Sequence, residues 1–186
     1  DSTMSLAEGV DSIPNLTPDE RKMAANGSIH VNIDVKEEKF ATSLSFPFTK
    51  PSDIPGYNKL SNKIMAETMK EQTGGAGLMG GDDEMPEMSS LDDYYSYEYS
   101  NGELKKKVIK EKYDKAGEDK YLKSVQESAG MGLSMKVNYI INLPRPAKSA
   151  EGKNVKLSED KKKVTVSATL DDFLADPASL EYKIRY

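Results

Sequence analysis

SMKVNYIINL at residues 134–143, KVTVSATL at 163–170 and LEYKIRY at 180–186 decide the fold. In the first segment Val137, Tyr139, Ile141 and Leu143 fall on one face of an extended chain. Val164, Val166, Ala168 and Leu170 do so in the second, and Leu180, Tyr182, Ile184 and Tyr186 in the third. The positions between them, such as Lys163, Thr165, Ser167, Glu181, Lys183 and Arg185, are polar. Successive side chains of a strand point to opposite faces, so this alternation predicts strands with one buried face and one wet face. A wet face predicts antiparallel pairing, because all-parallel sheets are covered on both sides.

Outward from these segments, Leu143-Pro144-Arg145-Pro146 breaks the first strand, since proline cannot donate to a ladder. Val155 and Leu157 open a hairpin with Glu159-Asp160-Lys161 at its tip, and residues 171–177 read as a turn or short helical detour anchored by Phe173 and Leu174. Upstream, Tyr95, Tyr97 and Tyr99 alternate with polar residues ahead of Asn101-Gly102, a strong short-range hairpin signal. Residues 103–113 read as strand or helix, with the return strand favoured because the Asn-Gly turn fixes the register, and 118–129 as a short helix with Tyr121, Leu122 and Val125 inward.

The first half carries a second hairpin. Ile29, Val31, Ile33 and Val35 share a face; Glu37-Glu38 marks a turn; Phe40, Thr42, Leu44, Phe46 and Phe48 alternate until Pro47 and Pro51 end the pattern. Before it, Thr17-Pro18-Asp19-Glu20 is a helix start with a capping box, stopped by Asn26-Gly27. After it, Ser52 or Asp53 starts a helix running toward Gln72, with Tyr57, Leu60, Ile64, Met65 and Met69 as an apolar stripe at spacings of three and four. These elements predict an α+β fold: a curved antiparallel β-sheet with one long and one or two short helices packed on one face. Residues 1–16 read as a flexible N-terminal tether, 17–186 as a single domain, and 74–90 as a flexible loop rich in Gly, Met and acids.

Composition narrows the function. In 186 residues, 31% charged and 37% hydrophobic, the net charge is −5, which argues against general nucleic-acid binding. No apolar run approaches the roughly 20 residues needed to span a bilayer. The absence of cysteine excludes disulfides and thiolate metal sites in this chain. Asp1-Ser2-Thr3 and Asp11-Ser12-Ile13 fit a bacterial O-glycosylation acceptor pattern, a pointer to an exported protein.

Four motifs resemble those of bacterial envelope lipoprotein domains of the LppM-like type. They are the opening of the first hairpin at Gly27-Ser28-Ile29-His30-Val31-Asn32-Ile33-Asp34 with its end at Phe46-Pro47-Phe48, Tyr97-Glu98-Tyr99 before the Asn-Gly turn, Ile141-Asn142-Leu143-Pro144, and Leu180-Glu181-Tyr182. The resemblance implies an α+β domain outside the cytoplasm, on the periplasmic or surface side, held at a membrane by a lipid anchor upstream of this chain. It implies no enzymatic activity.

The remaining chemistry reads mostly as structural. His30, the single histidine, falls on the polar face of its strand; a triad or histidine metal site would need it together with partners, and it reads instead as a surface or half-buried imidazole. The glycines at 74, 75, 77, 80 and 81 lack the Gly-Lys-Ser/Thr ending of a phosphate loop. Asp82, Asp83, Glu84, Glu87, Asp92 and Asp93 do not have EF-hand spacing and read as a solvated acidic loop. Met79, Met85 and Met88 read as loop residues, with soft-metal binding or a partner contact as the alternatives. Lys105, Lys106, Lys107, Lys110 and Lys112 form a basic stripe, either edge-strand lysines that block aggregation or a surface for anionic headgroups and glycans. The tyrosine row reads as cross-strand packing with its hydroxyls at the rim, or as a ligand platform.

The resulting expectation is a non-enzymatic envelope ectodomain without cofactor or metal. It would bind a lipid or other apolar ligand between helix and sheet through Tyr57, Leu60, Ile64, Met65, Met69, Tyr139 and Ile141. The alternative is a structural or protein-interaction module working through the 74–90 loop.

Overall fold

The computed structural model describes residues 2–34, 39–72, 89–100, 102–130 and 136–186. The chain gathers into two compact units, Asp1–Met85 and Pro86–Tyr186. The sequence reading had placed a single domain from residue 17 onward.

The first unit holds a three-stranded antiparallel sheet of β1 (Ser2–Ser5), β2 (Ser28–Asp34) and β3 (Lys39–Ser45), in that order. Its hairpin pairs Ile29 with Leu44, Val31 with Thr42 and Ile33 with Phe40, the register that the alternation predicts. The Glu37-Glu38 turn lies outside the described residues. Helix α1 (Pro18–Ala24) starts at the expected capping box: Thr17 accepts from the Glu20 amide, and the Glu20 carboxylate accepts from the Thr17 amide. Helix α2 (Ile54–Gln72) spans the predicted long helix, and Lys63 on it meets Glu20 of α1 at 2.8 Å.

Residues 2–16 are not a tether in this structure. β1 pairs with β2, and Leu6, Val10 and Leu16 are buried with Ala24, Ile29, Leu60 and Ile64 in one cluster. Arg21 secures this segment by donating to the carbonyls of Val10 at 2.7 Å and Ile13 at 3.3 Å. The segment turns through two short 3-10 helices, so its apolar residues follow neither a strand nor a helix period.

The second unit has two antiparallel sheets where the sequence reading expected one curved sheet. In the first, β4 (Tyr95–Ser100), β5 (Glu103–Val108), β10 (Tyr182–Arg185) and β7 (Ser149–Glu151) lie in that order. The second is β6 (Lys136–Asn142), β9 (Lys163–Thr169) and β8 (Val155–Leu157). The two-residue Asn-Gly connection is confirmed by the Ser100–Glu103 pair, with Gly102 at φ +79°. A Cβ on Gly102 would stand 2.6 Å from the Tyr186 carbonyl oxygen, so glycine serves both the turn and the close approach.

Among its described residues, three α-helices complete this unit: α3 (Lys110–Tyr113), α4 (Lys120–Gly130) and α5 (Leu170–Ala175). The expected helical detour is α5, started by a capping box between Thr169 and Asp172. Phe173 on it is fully buried and meets Tyr94, Tyr95 and Tyr113 at ring-centroid distances of 5.5, 6.2 and 5.4 Å.

Candidate functional site

Strand β5 alternates like its neighbours. Leu104, Lys106 and Val108 share one face, and Glu103, Lys105 and Lys107 the other. Lys106 is therefore carried inward, directly between Tyr97 of β4 and Tyr182 of β10, and is 0% exposed. The lysine stripe is thus divided by the pleat. β5 has a partner on each side, which corrects the expectation of edge-strand lysines.

A buried ammonium needs a counter-charge, because burial without one costs several kcal/mol. Asp92 supplies it from a 3-10 turn just before β4, where the Ser90 hydroxyl accepts from the Asp92 amide at 3.0 Å. Lys106 Nζ donates to Asp92 Oδ1 at 2.5 Å. Asp92 is itself buried, which corrects its placement in a solvated acidic loop. The Tyr97 hydroxyl donates to the same Oδ1 at 2.7 Å, and the Tyr139 hydroxyl donates to Oδ2 at 3.1 Å.

Aromatic rings complete the enclosure. Nζ lies 3.9 Å from the Tyr139 ring centroid, 4.5 Å from that of Tyr95 and 5.6 Å from that of Tyr97. Such ring faces stabilise a cation where water cannot. The Tyr95 hydroxyl is committed elsewhere, donating to the Pro177 carbonyl at 2.6 Å. The cage is built from both sheets of the second unit, with β6 contributing Tyr139.

Burial lowers the Lys106 pKa, and the Asp92 charge opposes that shift without cancelling it. The phenols of Tyr95, Tyr97, Tyr139 and Tyr182 are all pushed above their ordinary value, first by burial and then by nearby charge, that of Asp92 among them. They stay protonated at neutral pH, and those of Tyr97 and Tyr139 act as donors toward the carboxylate. The site thus combines an amine, a carboxyl group and two hydroxyl donors within hydrogen-bonding reach.

The expected ligand residues divide between the two units. Leu60 and Ile64 are 1% exposed and occupied by the first unit's own core. Tyr57, half-buried beside them, stacks on Phe46 at 5.2 Å, and Met65 is half-buried. The Met69 side chain lies outside the described residues. In the second unit Ile141 is buried in the core, and Tyr139 belongs to the lysine cage. His30 Nδ1 is 2.8 Å from the Thr3 hydroxyl across the β1–β2 pair. Residues 74–88, with the glycines, Met79, Met85, Met88 and four of the acids, lie outside the described residues. Among the described residues no cluster of three or more potential metal ligands forms, and no helix is long and apolar enough to cross a membrane.

Sequence reading missed the Lys106–Asp92 pair. Its signal was the phase of β5: whichever face holds Leu104 and Val108 must also hold Lys106. Comparison with known protein families, with curated proteins and with solved structures finds no match to this chain.

Proposed function

We propose that this chain is a non-enzymatic ectodomain of the bacterial cell envelope, acting as a structural or protein-interaction module. The observation that carries the structural reading is the closure of the Lys106 site. The amine of Lys106 and the carboxyl group of Asp92 face one another inside it, with Lys106 fully buried. A catalytic lysine has to meet its substrate, whereas an enclosed pair holds strands together. The envelope address rests on the likeness to LppM-like domains and on the acceptor-like Asp-Ser-Thr and Asp-Ser-Ile triplets.

Complementation of a deletion strain tests this role. The full-length gene product should fractionate with the envelope. A Lys106→Met/Asp92→Leu variant, apolar and similar in volume, should complement as the natural protein does if it reaches the same level. A normally abundant variant that fails to complement would make the pair functional in its own right and overturn the structural reading.

A second reading, capture of a lipid or other apolar molecule, is favoured by one feature of the first unit. Tyr57 and Met65 leave α2 with a partly exposed apolar flank beside the filled core positions Leu60 and Ile64. Native mass spectrometry of the chain purified from envelope would show a co-purifying lipid that Tyr57→Ser/Met65→Ser loses. Retention by that variant, or a lipid-free natural chain, would reject this reading.

A further inference from the structure

We propose that Lys106 and Asp92 condense to an intramolecular amide, a covalent side-chain cross-link between the turn preceding β4 and strand β5. Nζ and Oδ1 stand 2.5 Å apart, so the reacting groups are already held together by the fold. Asp92 is the hydrogen-bond acceptor of Nζ among the described residues, and the other faces of the amine meet tyrosine rings. Burial biases Lys106 toward the free amine, the nucleophilic form.

The bond changes follow from this arrangement. One proton passes from the ammonium to Oδ1, giving a neutral amine and a neutral carboxylic acid. The nitrogen lone pair attacks Cγ, forming the C–N bond while the Cγ–Oδ2 π pair moves onto Oδ2. The Tyr139 hydroxyl, 3.1 Å from Oδ2, donates to the oxygen that becomes negative. A second proton moves from nitrogen to Oδ1. The Cγ–Oδ1 bond then breaks, Oδ1 leaves as water with the bonding pair, and Oδ2 returns to a carbonyl. Both protons of the departing water began on Nζ, and the nitrogen keeps one as the amide N–H. Tyr97, 2.7 Å from Oδ1, hydrogen-bonds the leaving oxygen. No oxidant, metal or activated cofactor enters the balance.

The product removes both buried charges and releases one water to bulk. The desolvation cost of an ion pair inside an aromatic cage thereby becomes a driving force for condensation. The folded chain supplies the proximity, so the link forms after folding and not in the unfolded chain.

Intact mass spectrometry of the purified full chain, denatured before measurement, tests this directly. The natural chain should be lighter than its sequence mass by one water. Proteolysis should yield a branched product joining the peptide that contains Asp92 to the one that contains Lys106. Asp92→Asn should be lighter by one ammonia instead, because its amide nitrogen is then the leaving group. Asp92→Ala and Lys106→Arg should show their full sequence masses. A natural chain that is folded by circular dichroism yet has its full sequence mass, with residues 92 and 106 recovered in separate unmodified peptides, would overturn the proposal. So would a water loss mapping to any other site. The measurement on the natural chain decides the matter even if every variant fails to fold.

Discussion

Lys106 shows how two rules of sequence reading conflict at one residue. Three consecutive lysines argue for a solvated stripe, whereas strict alternation sends the middle one inward with Leu104 and Val108. The pleat prevails because β5 is paired on both sides, and a one-residue slip would expose its whole apolar set. Asp92 was hidden for a related reason: it stands in an acidic run, and the tyrosines that close over it come from β4 and β6, which no local window joins. Lys106→Met should cost about 3–5 kcal/mol in urea unfolding, since it strands Asp92 in a buried site. The cage also sets the alkaline limit. Tyr95, Tyr97, Tyr139 and Tyr182 titrate above the ordinary 10.0 while the chain is folded, so the folded state holds more protons than the unfolded one above pH 10. The stability they contribute is intact below that pH and is lost as pH rises beyond it. Tyrosinate absorbance from these four should therefore appear with unfolding, as one cooperative step.

At the scale of elements, the hairpins, the capping boxes and the long helix were legible because their signals are local. Asn101-Gly102 fixes a two-residue turn, and Thr17 and Glu20 satisfy each other within four residues. The N-terminal segment was not legible. Leu6, Val10 and Leu16 are buried by residues 24, 29, 60 and 64, so only the tertiary fold shows their role. Leu16→Ala should destabilise the first unit by about 2–5 kcal/mol by denaturant titration, where a tether residue would have no effect. Gly102→Ala should cost more than about 1 kcal/mol, since alanine is strained at this φ and its Cβ would meet the Tyr186 carbonyl.

Across the whole molecule, the α+β class was readable from alternating and helical periods, but the division into two units was not. Each unit carries its own hairpin and its own amphipathic helix, so the periodicity looks the same on both sides of the boundary. The sheet count was illegible for the same reason: alternation tells which face is buried and not which strand lies beside which. Glu103 gives the second unit an acid response. Its carboxyl is held at about 2, first by the hydrogen bond from Arg185 and then by that from Lys105. A depressed carboxyl stabilises the fold above its ordinary 4.5, and this contribution is lost as pH falls from there toward 2. Glu103→Gln should flatten the acid limb of the stability profile in that interval.

The claim on which most depends is that the second unit is a rigid scaffold closed around Lys106. Native-state amide hydrogen exchange of the full chain tests it most directly. Amides of β5, β9 and β10 that lie in the ladders should be the slowest in the chain, exchanging only with complete unfolding of the second unit. Exchange of the Lys105–Lys107 amides as fast as that of exposed loop amides such as Glu159 would contradict it.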